Sequence, residues 1–238
     1  MSDPLDSALR EHFGWSAFRP GQRPVIEAML GGQDCLAVLP TGAGKSLCYQ
    51  LPALVREGLV LVISPLVALM EDQVQHLQRR GIPAACLHRG LDPERRRDLL
   101  KRVRSNRLRL LYLAPERLQV EATRRLLEEI HEEGKLVGLA IDEAHCISAW
   151  GHDFRPDYRR LGQLRRLCPG VPVVALSATA APRVRADLIR LLELRRPLIQ
   201  VRSARRDNLS YVMRRRPKDP LPQVLKAVEE ARGADLIY

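Results

Sequence analysis

The sequence lacks the features of a disulfide-stabilised or membrane-spanning protein. Its 238 residues include 5 cysteines, which are widely spaced and form no CxxC pair. This spacing argues against a disulfide framework and against a zinc ribbon, so reduced and mostly buried thiols are expected. No apolar run reaches the roughly 18 residues of a membrane span, and the charged amino terminus has no signal-peptide core. We therefore expect a soluble, cytoplasmic protein with no membrane partner.

Aromatic side chains are also scarce, and they are unevenly placed. Phe, Tyr and Trp make up 4% of the chain, yet three of them fall within AWGHDFRPDY, residues 149–158, which we call the aromatic loop. These rings are Trp150, Phe154 and Tyr158, and they follow neither the strand period nor the helix period. Rings presented to a ligand would account for this grouping. A surface loop anchored by its own rings is the alternative.

Positive charge is concentrated in two blocks. The formal net charge is +11; residues 89–109 carry nine basic and three acidic side chains, and residues 201–218 carry seven and one. The remainder of the chain is close to neutral. Such blocks favour a polyanionic partner. Solvated helix faces in an arginine-rich proteome would give the same pattern.

Short apolar runs alternate with amphipathic segments along most of the chain. The runs cover residues 35–39, 59–64, 108–114, 136–142 and 171–178. Continuous runs rich in Val, Leu and Ile predict strands that are buried on both faces. The intervening segments, such as 65–81 and 92–105, carry apolar residues at helical spacing. The sequence therefore predicts an α/β fold with a parallel β-sheet flanked by helices on both faces.

The pattern changes near the carboxyl end. Residues 1–205 are predicted to form the α/β domain, and residues 206–238 a basic connector followed by the start of a second domain. A helix is predicted at 221–233 and the beginning of a strand at 234–238. Because so short a segment cannot bury a core, we expect either a fragment of a longer protein or a tail that packs on the first domain.

A predicted strand leads into PTGAGKS, residues 40–46, and a predicted helix follows, which is the context that a P-loop requires. Gly42 and Gly44 let backbone amides turn toward phosphate oxygens. Lys45 supplies charge to the β- and γ-phosphates, and the Ser46 hydroxyl ligates Mg²⁺. Leu39 stands where the strict pattern has glycine, so an ordinary glycine turn is the alternative. The predicted nucleotide-binding loop comprises Thr41, Gly42, Ala43, Gly44, Lys45 and Ser46.

Two adjacent carboxylates follow another predicted strand, in LAIDEAH, residues 139–145. Asp142 falls at the strand's carboxyl end, where open α/β sheets place ligand groups, and it would complete Mg²⁺ coordination. Glu143 can orient or deprotonate an attacking water. A helix N-cap is one alternative. A zinc site from His145, Cys146 and His152 is another, although it lacks familiar ligand spacing.

The ordered motifs PTGAGKS, ISPLVALMEDQV, LYLAPERL, DEAH and LSATA resemble those of superfamily-two helicases. Residues 145–165 are similar to the aromatic-rich loop of RecQ DNA helicases, and residues 9–30 resemble their nucleotide-recognition motif. The resemblance covers essentially the whole chain. It implies a RecA-like P-loop NTPase that couples ATP hydrolysis to 3′–5′ movement on single-stranded DNA. Duplex unwinding in DNA repair and recombination, in a bacterial cytosol or nucleoid, is implied with it.

The resemblance also implies roles for individual residues in ATP binding. Trp15 and Arg19 would hold the adenine ring between them, and Gln22 would read its edge because adenine presents one donor beside one acceptor. His145 would join Lys45, Asp142 and Glu143 as the catalytic group. Ala43 replaces a glycine usual in the family, which is tolerated if its φ is negative.

On the DNA side, the resemblance implies contacts from the aromatic loop and from the SAT motif. Trp150 and Phe154 would stack on bases, with Arg155 and His152 pairing beside them, whereas Tyr158 is expected to be structural. Hydroxyls of the SAT motif would tie nucleotide state to DNA. The predicted DNA-binding and coupling residues are Trp150, His152, Phe154, Arg155, Ser177 and Thr179.

The implied partners are ATP, Mg²⁺, single-stranded and forked DNA, and the remainder of a helicase. That remainder would comprise the second RecA-like domain with its arginine finger, and the zinc-binding and winged-helix modules. Without the finger, the chain is expected to hydrolyse ATP very slowly. Two alternatives stay open. One is a binding module without turnover; the other is an RNA-acting DEAH-box protein, which would share DEAH but not the aromatic loop or the Gln22 motif.

Overall fold

The computed structural model describes residues 3–150, 153–203, 213 and 215–230. The chain divides into two compact units, Met1–Ala204 and Arg205–Tyr238. The assignment of the second unit to the start of a further RecA-like domain stays a prediction, and the strand predicted at 234–238 lies outside the described residues. Within the described part of the chain, no helix is both long enough and apolar enough to cross a membrane.

The first unit is built on a seven-stranded sheet in which every pairing is parallel. The order across the sheet is β3-β4-β2-β5-β6-β1-β7. This confirms the predicted α/β class. The strands are β1 (Cys35–Val38), β2 (Leu59–Ile63), β3 (Ala84–Leu87), β4 (Leu110–Leu113), β5 (Leu136–Ile141), β6 (Val173–Ser177) and β7 (Leu198–Val201).

Helices connect the strands, and Pro52 divides the one predicted after the P-loop into two short helices because proline has no N–H to donate. The helices are α1 (Pro4–Phe13), α2 (Gln22–Leu30), α3 (Leu47–Gln50), α4 (Pro52–Val55), α5 (Val67–Arg79), α6 (Pro93–Arg104), α7 (Glu121–Glu132), α8 (Gln163–Leu167), α9 (Pro182–Leu191) and, in the second unit, α10 (Leu221–Glu230). Short 3₁₀ helices cover Pro115–Gln119, Ala144–Ile147 and Pro156–Gly162.

Both faces of the sheet are covered by apolar side chains. Along β2, Leu61 and Ile63 belong to one buried cluster, whereas Val60 and Val62 belong to a second. Successive side chains of a strand point to opposite faces, so the two clusters lie on the two sides of the sheet. This double burial is why the strand sequences are continuously apolar.

The predicted strands are the five interior ones, and the two that were missed, β3 and β7, are the edges. An edge strand pairs on one side only and contacts fewer neighbours. The sequence of β3 is AACL, with little β-branched character, and burial in β7 alternates rather than running continuously. Neither strand therefore carries the apolar signature of a buried strand.

A buried ion pair connects three strands at their amino-terminal ends. Asp34, just before β1, pairs with Arg165, and both side chains are almost completely buried. The Asp34 carboxylate also accepts hydrogen bonds from the amides of Val173 (2.9 Å) and Arg195 (2.6 Å). Arg165 donates to the Val171 carbonyl at 2.8 Å. One carboxylate thus links the beginnings of β1 and β6 to the turn before β7.

Removal of this carboxylate should cost much of the stability of the first unit. In Asp34→Ala, Arg165 would stay buried without its partner, and such losses destabilise by about 3–5 kcal/mol. Urea denaturation followed by circular dichroism measures the change. The matched control is Glu129→Ala, which removes the half-exposed pair with Arg104 and should cost no more than about 1 kcal/mol. Equal changes in the two variants would contradict the assignment.

Candidate active site

The P-loop follows β1 and begins beside β6, where the Leu39 amide donates to the Ser177 carbonyl at 3.0 Å. Gly42 and Gly44 have φ of 83° and 73°, in the left-handed region that glycine adopts without strain. Ala43 is not among the described residues with positive φ. The alanine is therefore compatible with the loop, as the sequence analysis required.

This loop borders a cavity of about 300 Å³, which brings the predicted adenine, phosphate and metal ligands together. The lining residues are Trp15, Arg19, Gly42, Gly44, Lys45, Ser46, Leu69, Gln73, Asp142 and Glu143. Thr41 and Ala43 lie in the same loop. Residues distant in sequence thus converge at the carboxyl ends of the parallel strands, as expected for a ligand site in an open α/β sheet.

Gln22 is almost completely buried, and it binds the P-loop backbone. Its Nε2 donates to the carbonyls of Ala43 (3.1 Å) and Gly44 (2.9 Å), and its Oε1 accepts from the Arg19 amide at 2.7 Å. The Arg19 guanidinium bonds the Gly42 carbonyl. A Cβ on Gly44 would come within 2.5 Å of Gln22 Nε2. The predicted reading of adenine therefore requires Gln22 to exchange these bonds, and it stays a prediction.

Trp15 offers an open ring at the margin of the cavity. Its side chain is 42% exposed, and one face stacks on Phe13 with 5.5 Å between ring centroids. Phe13 itself is buried. The indole is thus supported from one side and available for stacking from another.

Asp142 occupies the end of β5, where its amide donates to the Ile63 carbonyl at 2.8 Å. Burial, followed by the nearby charge of Glu143, raises the pKa of Asp142 to about 6, although Lys45 opposes the shift. The Tyr158 hydroxyl donates to the Asp142 carbonyl at 3.1 Å, and its ring is fully buried. The prediction that Tyr158 is structural is confirmed.

His145 connects the acidic pair, Asp142 and Glu143, to the SAT motif, residues 177–179. Its Nδ1 lies 3.3 Å from Glu143 Oε2 and 3.1 Å from Ser177 Oγ. The hydrogen bond with Cys146 and that with Glu143 raise the pKa of His145 to about 9, which favours the protonated imidazole. The Ser177 hydroxyl donates to the Thr179 carbonyl at 2.7 Å, so its oxygen accepts from His145. Thr179 takes part through backbone groups.

The aromatic loop presents two rings, and each has an arginine over it. Trp150 is 61% exposed and Phe154 is 38% exposed. The Arg183 guanidinium lies 3.4 Å from the Trp150 ring centroid, and that of Arg159 lies 5.2 Å from the Phe154 centroid. Exposed rings beside cations suit a ligand that has both bases and phosphates. His152 lies outside the described residues.

Polar contacts tie the aromatic loop to its surroundings. Arg155 pairs with Asp153 at 3.0 Å and donates to the Pro65 carbonyl, just before α5, at 2.9 Å. Ser148 donates to Asp187 on α9 at 2.8 Å. Arg155 thus connects the aromatic loop to the segment before α5, and Ser148 connects the residue before the loop to α9.

Four residues of these two regions were missed from the sequence. Leu69 and Gln73 lie four residues apart on α5 and line the cavity, and this helical spacing was the available signal. Arg183 and Asp187 lie four residues apart on α9; Arg183 contacts Trp150 of the aromatic loop, and Asp187 contacts Ser148 just before it. Arg183 is one of 39 basic side chains in the sequence, and no sequence pattern distinguishes it or Asp187 from the others.

The fold and the site together define a RecA-like P-loop ATPase domain of the helicase class. The family model described as DEAD/DEAH box helicase matches residues 19–188. The chain belongs to that family, and the similarities below confirm its resemblance to RecQ DNA helicases.

Curated relatives extend this result over nearly the whole chain. The chain is 42% identical over 237 residues to the probable ATP-dependent DNA helicase RecS of Bacillus subtilis, covering 98% of this chain and 47% of the relative. It is 49% identical over 197 residues to the ATP-dependent DNA helicase RecQ of Synechocystis sp., covering 81% of this chain and 41% of that relative. The chain therefore spans less than half the length of these relatives.

Solved structures show the same fold at low sequence identity. A hypothetical ATP-dependent RNA helicase from Sulfolobus tokodaii superposes with a TM-score of 0.61 at 20% identity, over 84% of this chain and 57% of that one. The DUF1998 helicase MrfA superposes with a TM-score of 0.66 at 22% identity, over 84% of this chain and 32% of that one. At these identities the likeness supports the fold alone.

Because the pKa of Asp142 is raised, replacement of its carboxylate by a neutral side chain should stabilise the folded protein in a pH-dependent way. Ionisation of the buried Asp142 carboxylate lowers the free energy of unfolding. This cost is complete above pH about 6 and absent below the ordinary pKa of 3.8. Asp142→Asn should therefore raise the free energy of unfolding by about 1–3 kcal/mol at neutral pH. The gain should disappear as pH falls from about 6 toward 4. Urea melts across this range test it.

Asp187 provides a control of opposite sign. Its pKa is lowered by hydrogen bonds from Arg190 and Ser148, so Asp187→Asn should give no stabilisation at neutral pH. If Asp142→Asn is neutral or destabilising at pH 7, or if its gain persists at pH 4, the electrostatic description of the site is wrong.

Proposed function

We propose that this chain is the ATP-binding lobe of a RecQ-type 3′–5′ DNA helicase. In the whole protein, ATP hydrolysis would drive translocation on single-stranded DNA and duplex unwinding. The observation that carries the proposal is the cavity of about 300 Å³ in which Trp15 and Arg19 meet Lys45 and the acidic pair. An aromatic ring, a basic phosphate contact and two carboxylates around one space match the parts of an adenosine triphosphate.

The residues of this cavity fit Mg²⁺. Ser46 and Asp142 offer the oxygen ligands that the ion prefers. Burial, followed by the nearby charge of Glu143, raises the pKa of the Asp142 carboxyl, so a cation beside it would favour the ionised form. Ser46 and Asp142 would hold the ion. When bound, Mg²⁺ would neutralise charge on the phosphates.

The other polar groups then divide the work of hydrolysis. Lys45 would contact the β- and γ-phosphates, and Glu143 would orient and deprotonate the attacking water. His145, held between Glu143 and Ser177, would keep the Glu143 carboxylate in place and stabilise its charge. These assignments combine the predicted roles with the contacts of the described side chains.

The aromatic loop is the proposed sensor of DNA. Bases would stack on Trp150 and Phe154, and phosphates would lie near the arginines above these rings. The Arg155 amide donates to the Cys146 carbonyl at 2.9 Å, one residue after His145. DNA on the loop would therefore act on the catalytic strand end through a short, hydrogen-bonded segment, which is the proposed basis of coupling.

The two tryptophans of the chain allow the two sites to be tested separately. Trp150→Phe leaves Trp15 as the sole indole, and Trp15→Phe leaves Trp150. A non-hydrolysable ATP analogue with Mg²⁺ should change the tryptophan emission of the first variant, and single-stranded DNA should change that of the second. Both ligands are titrated by fluorescence into both variants.

The same titrations can also contradict the assignment of the two sites. Lys45→Ala in the Trp150→Phe background should abolish the response to the ATP analogue, because the phosphate charge is lost. A response that survives Lys45→Ala, or DNA that changes only the Trp15 emission, would contradict the assignment of the sites.

In the longer protein that includes the second domain, Trp150→Ala and Arg155→Ala should uncouple hydrolysis from DNA. Loss of the Trp150 stacking contact costs about 1–3 kcal/mol, so Trp150→Ala should need about 5- to 150-fold more DNA for half-maximal ATPase stimulation. The affinity for ATP should stay unchanged. Steady-state ATPase assays with varied DNA measure this.

Arg125→Ala is the control, because Arg125 is exposed on α7 and its ion pair with Glu121 is also exposed to solvent. Full DNA stimulation in both loop variants would reduce the loop to a packing element. Equal or stronger stimulation by RNA in the parent protein would favour the RNA-acting alternative.

A further inference from the structure

Glu71, Cys86 and His88 form a mixed cluster at an edge of the sheet, away from the nucleotide cavity. Cys86 lies in the edge strand β3, His88 follows that strand, and Glu71 projects from the neighbouring helix α5. Two strands, β4 and β2, separate β3 from the β5 end that carries Asp142. The cluster is therefore distinct from the Mg²⁺ ligands discussed above.

The geometry of these three side chains is close to that of a metal site. One ligand atom from each residue lies within 4.8 Å of the other two. His88 Nε2 and Glu71 Oε1 are 3.3 Å apart. Zinc bonds of about 2.0–2.3 Å at tetrahedral angles place ligand atoms about 3.3–3.8 Å apart. The His–Glu distance falls in this range, and the thiol of Cys86 lies within 4.8 Å of both other ligand atoms.

The surroundings leave room for an ion to enter. The His88 side chain is 11% exposed, whereas Glu71 is 49% exposed, so the cluster is covered on one side and open on the other. Cys86 also lines a cavity of about 490 Å³ between α5 and α6. A protected ligand set with solvent access is what a binding site needs.

We propose that Glu71, Cys86 and His88 bind one zinc-like transition-metal ion, with a fourth position taken by water. Sulfur, imidazole and carboxylate ligands suit Zn²⁺, whereas Mg²⁺ and Ca²⁺ prefer oxygen alone. The ion would fasten α5 to the edge strand β3. Leu69 and Gln73, on either side of Glu71 in α5, line the nucleotide cavity, so the site would also fix that wall. The proposal is independent of the proposed function.

Cobalt substitution tests the site in the intact chain. Co²⁺ is titrated without nucleotide and in excess Mg²⁺, which occupies oxygen-only sites. One equivalent should produce a thiolate-to-cobalt charge-transfer band and the visible bands of four-coordinate cobalt, and Zn²⁺ should remove both. The charge-transfer band should be absent in Cys86→Ser. Zn²⁺ affinity, measured by competition, should fall by at least about tenfold in His88→Gln and Glu71→Gln.

His76→Gln is the matched control, because His76 also lies on α5 and pairs with a carboxylate, Asp72, at 3.3 Å. It should keep the full cobalt spectrum. At about 100 times the dissociation constant, Zn²⁺ should raise the melting temperature of the parent chain by about 5–10 °C. That rise should be lost in His88→Gln and kept in His76→Gln.

Several results would overturn the proposal. They are a parent chain without a charge-transfer band, unchanged Zn²⁺ affinity in His88→Gln and Glu71→Gln, or an equal loss in His76→Gln. Melting curves without metal establish that each variant folds. If Cys86→Ser does not fold, the two α5 and loop variants, Glu71→Gln and His88→Gln, decide the question.

Discussion

Burial of one carboxylate at the end of a strand is the constraint around which the site is arranged. Asp142 is held in place by the sheet, and its charge is costly there. Glu143 follows with φ of 45°, a strained value for a residue other than glycine. Lys45 and His145 oppose the rise in the Asp142 pKa, whereas the charge of Glu143 adds to it. The Tyr158 hydroxyl binds the Asp142 carbonyl and holds this strand end in place. Strain and uncompensated charge are therefore concentrated at one cavity.

Strand order decides how this site communicates with the rest of the first unit. Because β6 lies between β5 and β1, the end of β6 adjoins both the acidic pair and the P-loop. Ser177 stands there and contacts His145 through its hydroxyl and Leu39 through its carbonyl. From the same strand the chain continues into α9, where Asp187 accepts a hydrogen bond from Ser148, the residue before the aromatic loop. Contacts between adjacent strand ends and one helix thus connect the P-loop to the start of the aromatic loop.

The predictable part of the structure is the part that local sequence determines. Interior strands are apolar on both faces and were recognised, whereas β3 and β7 lie at edges where burial is incomplete. The P-loop and the acidic pair are contiguous motifs with fixed chemistry. By contrast, the bonds of Gln22 to the loop, the arginine over Trp150 and the approach of Glu71 to Cys86 depend on tertiary packing. No periodicity encodes such contacts between residues far apart in sequence.

The hydrogen bonds of Gln22 have a consequence for the P-loop. Its amide nitrogen holds the carbonyls of both Ala43 and Gly44, and its amide oxygen accepts from the Arg19 amide. Any movement of Gln22 away from this position would release two carbonyls of the loop at once. The conformation of the loop therefore depends on the position of one buried side chain that lies 21 and 22 residues away in sequence.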